Sequence, residues 1–282
     1  MQTLKDKKAI LCDMDGVLYH GSRLLPGAKE FIQWLQKEDK FFLFLTNSSD
    51  RTPLELQQKL RRLGIEVSPC NFYTSALATA QFLKKQCPGG SVYVIGGAGL
   101  IHALYDAGFV MNDVNPDYVV IGETKDYDFD KIEKAVNLVL SGARLIGANP
   151  DTKDRIGNGF TPGTGALIAP IEKVTGCQAY FLGKPNPFTM QQAIKKLNAP
   201  QEETVIIGDR MDTDIIGGIE TGIDTVLLLS GVTTKSMLRQ FAYHPDYIFG
   251  GLDDLVKFCT GEEEKCCHIL QYNRFSCIPL SG

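Results

Sequence analysis

Short apolar runs of strand length alternate along this chain with stretches in which apolar positions return every three or four residues. The first run, Ala9-Ile10-Leu11-Cys12, has no polar interruption, as a strand buried on both faces of a parallel sheet requires, and it ends in Asp13. An amphipathic stretch over 26–37 follows, then an apolar run over 41–47. The next helix has the clearest start signal: Thr52 as N-cap, Pro53 at the first helical position, Glu55 completing a capping box, and Gly64 closing it. From about Pro88 the rhythm restarts, with strand-like runs at 91–97, 117–123 and 144–149 interleaved with helices ending near Leu104 and spanning about 129–140 and 166–174. It resumes with a run at 179–185, a helix over 187–197, a run at 204–209, a helix near 215–220 and a run at 225–229. This βαβ order predicts an α/β protein with a doubly wound parallel sheet flanked by helices.

No Gly-, Ser- or Pro-rich linker divides the chain, so the domain boundary is read from chemistry. Four strands are predicted to carry polar groups at their carboxyl ends: Asp13, Thr46-Asn47, Lys184 and Asp209. In open α/β sheets ligands bind in the crevice outside those ends, so the four strands are expected to share one sheet. The expectation is a discontinuous core over 1–82 and 180–260, with a smaller α/β cap inserted over 83–179.

Composition narrows the function classes. The chain has 282 residues, 44% of them hydrophobic, enough for a large domain or two unequal ones. Its apolar runs are strand-sized and no basic segment precedes a hydrophobic one, so neither a membrane span nor a targeting leader is expected, and the protein reads as cytoplasmic. The net charge is −4 and no Lys/Arg block stands out, which argues against a nucleic-acid polymer as partner. Cys12, Cys70, Cys87 and Cys177 are scattered through the globular pattern as reduced thiols. Cys259, Cys266, Cys267 and Cys277 crowd toward the end, in or beside a segment from Thr260 that has no clear period. Cys266, Cys267, His268 and Cys277 are a zinc alternative whose spacing fits no common finger, so 261–282 is expected to be a disordered tail.

The candidate chemistry is phosphoryl transfer. Asp13, Asp15 and Asp209, with Asp214 one helical turn further on, would repel one another in a cleft unless a cation joined them, and oxygen-only ligands favour Mg²⁺. Lys184 and the pair Thr46-Asn47 supply a point charge, a hydroxyl and an amide for a phosphoryl group. Gly16 and Gly208 let backbone approach the ligand.

At these residues the sequence resembles the haloacid dehalogenase superfamily. Asp13-Met14-Asp15-Gly16-Val17 is similar to its first motif, Thr46-Asn47 to its second, Lys184-Pro185 to its third, and Gly208-Asp209 with Asp214 to its fourth. The stretches "FYTSALATAQFL", "VNPDYVVIGETKDYD", "ANPD" and "EETVIIGDRMDTDI" resemble the NagD-like subgroup of ribonucleotide monophosphatases and 4-nitrophenylphosphatases, whose C2-type cap is inserted between the second and third motifs. The resemblance implies that Asp13 is the nucleophile, forming an aspartyl-phosphate. It implies that Asp15 protonates the leaving alcohol and then activates water, which accounts for two carboxylates so close together. It further implies that Asp13, Asp209 and the backbone carbonyl of Asp15 hold Mg²⁺, that Asp214 supports the site, and that Thr46, Asn47 and Lys184 bind phosphoryl oxygens. The partner implied is a small phosphorylated metabolite, a nucleoside monophosphate first, with a sugar phosphate or phosphoglycolate as the alternative. A phosphomutase or phosphotransferase using the same intermediate, and a phospho-accepting signalling module, are the competing classes; the chain's length and motif order disfavour the last.

The polar stretch 149–163, with Asn149, Asp151 and Arg155, is the expected reader of the leaving group, being predicted as a loop of the cap. "VIGGAG" at 94–99 lacks the dinucleotide-binding spacing and is expected to be a tight turn. The four histidines show no paired metal spacing, and His20, nearest the acids, is expected in a loop. Oligomeric state is not legible, although the cap is the surface through which copies would pair.

Overall fold

The structure, a computed structural model, describes residues 4–156 and 159–262. The chain enters with β1 (Ala9–Cys12), a small antiparallel hairpin of β2 (Tyr19–His20) and β3 (Arg23–Leu24), α1 (Ala28–Lys37) and β4 (Phe41–Thr46). It continues through α2 (Pro53–Arg62), β5 (Phe72–Thr74), α3 (Ser75–Gln86), β6 (Ser91–Ile95), α4 (Ala98–Asp106), β7 (Val110–Met111), β8 (Tyr118–Ile121), α5 (Phe129–Leu140) and β9 (Arg144–Gly147). A hairpin of β10 (Lys153–Ile156) and β11 (Gly159–Pro162) leads to α6 (Thr164–Thr175), β12 (Tyr180–Phe181) and α7 (Pro187–Leu197). The last part is β13 (Thr204–Gly208), α8 (Ile216–Thr221), β14 (Asp224–Leu228), β15 (Tyr247–Phe249) and α9 (Leu252–Thr260). Among the described residues two compact units form, one from 4–43 with 194–262 and the other from 44–193.

In the first unit parallel strands run in the order β15-β14-β13-β1. β1 and β13 are buried along their whole length and pair with Cys12 opposite Ile207, the uninterrupted apolar strands that a sheet covered on both faces demands. The amphipathic α1 buries Phe31, Trp34 and Leu35 and packs against α9. Gly27, at φ +79°, opens α1 where an added Cβ would lie 2.2 Å from the backbone nitrogen of Asp253, so only glycine allows the approach.

In the second unit the parallel order is β12-β9-β8-β6-β7. Side chains of β8 alternate between its faces. Tyr118 and Val120 join Leu83, Leu100 and Leu104 beneath α3 and α4, whereas Val119 and Ile121 join Ala135, Ile168 and Ile171 beneath α5 and α6. The end of β4 pairs in parallel with β5, with the Phe44 and Phe72 rings 5.2 Å apart.

The helices expected at 129–140 and 187–197 have those limits in the structure, and α2 carries both hydrogen bonds of its capping box. Two expectations are corrected. The strand leading to Lys184 was expected in the first sheet, yet β12 pairs in parallel with β9, an approach that side-chain-free Gly147 permits: the Phe181 ring lies 2.3 Å from where a Cβ would stand. The stretch expected as a polar loop over 149–163 contains the antiparallel pair β10–β11. β5 with α3, and β15 with α9, were not anticipated by the periodicity. The cysteine and zinc question at Cys266, Cys267, His268 and Cys277 lies outside the described residues. No helix among the described residues is long and apolar enough to cross a membrane.

Thr52→Ala removes the side-chain acceptor for the Glu55 N–H and breaks the box. It is expected to lower stability by about 1 kcal/mol, read as a reduced urea midpoint, with catalytic constants unchanged.

Candidate active site

In the first unit three acids converge. Asp13 directly follows β1, and its N–H donates to the Ile207 carbonyl of β13 at 2.8 Å, which aligns the ends of the two strands. Asp209 directly follows β13. Asp214 comes from a π-turn over Met211–Ile215, in which the Asp214 and Ile215 N–H groups both donate to the Arg210 carbonyl at 3.2 Å. That turn folds the Asp214 carboxylate back, so that its Oδ2 accepts from the Arg210 N–H at 3.3 Å and the Thr213 hydroxyl at 3.4 Å. One carboxylate oxygen from each of Asp13, Asp209 and Asp214 lies within 4.8 Å of the others.

Asp209 and Asp214 are buried and Asp13 half-buried. Like charges so placed repel strongly unless a cation or protons intervene. The backbone around them is cut to fit: a Cβ at Gly16, where φ is +83°, would fall 2.4 Å from Asp209 Oδ2, one at Gly231 1.9 Å from the same atom, and one at Gly208 2.1 Å from Asp214 Cγ. Asp209 Oδ2 also accepts the Val232 N–H at 2.6 Å. The donor set is all oxygen, with no histidine or cysteine in it, which fits a hard divalent ion such as Mg²⁺.

Asp15 stands apart from this cluster. Its carboxyl is exposed and lies 3.5 Å from His20 Nδ1, while His20 Nε2 is 3.0 Å from the Ser230 carbonyl, so His20 sits at the end of β2 as a neighbour of the acid. The structure thus brings Asp214 among the clustered carboxylates and leaves the Asp15 side chain outward.

The second unit gathers the polar residues expected to bind phosphate. Thr46 ends β4, and its Oγ1 accepts the Ser48 N–H at 3.1 Å. Lys184 is buried beside Gly183, at φ +71°, and a cis bond to Pro185. What holds it is Asn47: Oδ1 accepts the Lys184 N–H at 2.6 Å, and Nδ2 donates to the Lys184 carbonyl at 3.1 Å and to Asp151 Oδ2 at 2.9 Å. The Asn47 carbonyl accepts from the Ser75 hydroxyl at 2.6 Å and from Asn149 Nδ2 at 2.7 Å.

Asn149 and Asp151, expected to reach a leaving group, are therefore corrected. Both are buried; Asn149 spends its amide on Asn47 and Glu123 and its Oδ1 on the Asp151 N–H, and Asp151 receives Asn47. They brace the Asn47 turn. Arg155 lies in β10, and its side chain is outside the described part of the structure.

Sequence reasoning assigned no role to Glu123, two positions beyond β8. The Ser48 hydroxyl and the Ser49 N–H donate to its Oε2 at 3.1 and 3.2 Å, and Asn149 donates to its Oε1 at 3.1 Å. Burial first, then the charges of Asp154 and Asp151, push its carboxyl up to about 7 against the lowering effect of the Ser49 and Ser48 hydrogen bonds. Its place at the carboxyl end of a strand is the signal that could have found it.

Below the ordinary value of 4.5 this carboxyl is protonated in folded and unfolded chains alike. Between 4.5 and about 7 the folded protein keeps a proton that the unfolded chain releases, so stability falls as pH rises through that window. Glu123→Gln cannot ionise and is expected to gain thermal midpoint relative to the parent between about pH 5 and about pH 8. A pH-independent difference between the two proteins would contradict the burial of this acid.

The chain is similar over most of its length to known hydrolases. Residues 10–110 match the model of haloacid dehalogenase-like hydrolases, and residues 181–255 match a second, HAD-hydrolase-like model. The chain is 43% identical over 246 residues to dihydroxyacetone phosphatase from Corynebacterium glutamicum (strain R), covering 87% of this chain and 90% of that one. It is 42% identical over 248 residues to ribonucleotide monophosphatase NagD from Escherichia coli (strain K12), covering 88% of this chain and 98% of the relative. The solved structure of NagD from that strain superimposes with a TM-score of 0.83 over the same shares of the two chains. Acid sugar phosphatase from Staphylococcus aureus (strain MRSA252) is 39% identical over 254 residues, covering 90% of this chain and 98% of its own.

Proposed function

The chain belongs to the haloacid dehalogenase-like hydrolases and is a phosphoric monoester hydrolase of their NagD-like group; from that premise we propose that it is a cytoplasmic, Mg²⁺-dependent phosphatase acting through an aspartyl-phosphate. The observation that carries the reading is the cluster of Asp13, Asp209 and Asp214 at the ends of two adjacent parallel strands. Asp13 and Asp209 would hold the ion by their carboxylates and Asp15 by its backbone carbonyl, with Asp214 closing the acidic set. Bound there, Mg²⁺ would offset the charge of carboxylates and phosphoryl oxygens.

Asp13 attacks phosphorus, and the bond to the ester oxygen breaks as Asp15 gives that oxygen its proton. Asp15, now ionised, takes a proton from water whose oxygen attacks the aspartyl-phosphate. Inorganic phosphate leaves, and both acids return to their starting state. Thr46 offers its hydroxyl, Lys184 its ammonium and Asn47 its backbone N–H to the phosphoryl oxygens, while the Asn47 side chain sets the Lys184 backbone.

The substrate is proposed to be a small phosphate ester, with nucleoside monophosphates first. The three relatives carry three different substrate names at nearly equal identity, so likeness alone does not choose. On β11 the Phe160 ring is 68% exposed with Lys153 Nζ 4.8 Å from its centroid, a surface on which a planar base can stack. Sugar phosphates and phosphoglycolate remain the alternative, since Lys153 also suits a second anionic group.

Phosphate release from nucleotides, sugar phosphates and phosphoglycolate, with and without Mg²⁺, tests the reading. Turnover is expected only with the metal and fastest with nucleoside monophosphates, and Phe160→Ala is expected to raise KM for nucleotides while sparing sugar phosphates. Asp13→Asn is expected to reduce kcat by at least about 10³-fold with an unchanged thermal midpoint. Substantial turnover by that variant would remove Asp13 as nucleophile.

A further inference from the structure

The carboxylate of Glu123 lies beside the turn that follows the phosphate-binding pair, and its sign is wrong for attracting a phosphate. A neutral amide there would oppose an anion less. What a carboxylate offers beyond an amide is two acceptor oxygens and no donor of its own. The Ser48 hydroxyl, the Ser49 N–H and Asn149 Nδ2 all point hydrogens at it, while its own N–H donates to the Ser49 hydroxyl at 2.9 Å, so Ser49 is tied to Glu123 in both directions. Gly122 permits the approach: a Cβ there would lie 2.8 Å from Ser49 Oγ.

The bonds do not stop at Ser49. The second hydrogen of Asn149 Nδ2 goes to the Asn47 carbonyl, and the Asn47 side chain takes both the N–H and the carbonyl of Lys184. A continuous run of hydrogen bonds therefore leads from one carboxylate to the backbone of every residue assigned to phosphoryl binding except Thr46, and Thr46 Oγ1 is fixed by Ser48, which Glu123 holds. We propose that Glu123 is a positioning residue that sets the 46–49 turn and the Lys184 backbone for an incoming dianion. This rests on the assignment of Thr46, Asn47 and Lys184 as phosphoryl ligands.

The ionised form satisfies all three donors, whereas a proton on Oε2 would oppose the Ser48 and Ser49 hydrogens and one on Oε1 that of Asn149. The charged groups facing it are Asp151 and Asp154, which with burial place its ionisation near neutrality. Dianion affinity is thus expected to weaken as pH falls through about 7.

The test uses the full chain with Mg²⁺ and two probes: 4-nitrophenyl phosphate for kcat and KM, and sulfate, whose charge is constant across this range, as a competitive inhibitor. Glu123→Ala is expected to raise the sulfate Ki and KM by about tenfold, the effect of losing one charge-assisted hydrogen bond, while kcat changes less than about threefold. The parent Ki should rise as pH falls through about 7, and that of Glu123→Gln should stay flat. Ser48→Ala, which removes one donor and serves if Glu123→Ala does not fold, is expected to shift Ki in the same direction by less. Unchanged Ki and KM with a lowered thermal midpoint, or a fall in kcat alone, would make Glu123 a structural brace and overturn the proposal. Calorimetric sulfate binding to Asp13→Asn separates the two readings: turnover by that variant sinks the nucleophile assignment, and sulfate affinity insensitive to Glu123 sinks this one.

Discussion

Three carboxylates held within 4.8 Å are an electrostatic liability that the first unit is built to tolerate. Their spacing follows from backbone with nowhere else to go. The hydrogen bond from the Asp13 N–H to Ile207 aligns two buried strand ends, and Gly16, Gly208 and Gly231 approach so closely that a methyl group at any of them would displace a carboxylate. The π-turn after Arg210 adds the third acid by folding it back toward the strand end it has just left. A divalent cation would convert that repulsion into attraction, which is why the crowding supports the proposed Mg²⁺ site.

The second unit solves a different problem with mostly neutral groups. The proposed role of buried Lys184 needs a fixed place: the amide of Asn47 holds its backbone and that of Asn149 holds the Asn47 carbonyl, through short hydrogen bonds to backbone groups that local secondary structure leaves available. Neutral amides can donate and accept at once, so each bridges segments that neither a carboxylate nor an ammonium could join alone. Glu123 joins Asp151 as an acid within this network, and three donors to Glu123 offset part of the cost of burying its charge.

Under the proposed function this division separates chemistry from choice of substrate. Relatives named dihydroxyacetone phosphatase, ribonucleotide monophosphatase and acid sugar phosphatase are similar to this chain at 39 to 43% identity, so overall likeness does not choose among their substrates. The proposed reading gives the choice of substrate to other surfaces, and the β10–β11 pair offers one, with its exposed Phe160 beside Lys153.

The sequence by itself determined what depends on neighbours a few positions apart. Helices α5 and α7 follow from apolar spacing, α2 from Thr52, Pro53 and Glu55, and the acids Asp13 and Asp209 from their places at the ends of uninterrupted apolar runs. Tertiary structure decided which strands pair and which polar groups meet. Pairing with β9, where Phe181 lies over Gly147, put β12 in the second sheet, and the partners of Asn47 and Glu123 lie 26 to 137 residues away along the chain. Periodicity reports the direction a side chain faces, not what waits there. A buried amide or carboxylate takes its meaning from donors and acceptors supplied by distant segments, and those are set only once the sheets have assembled.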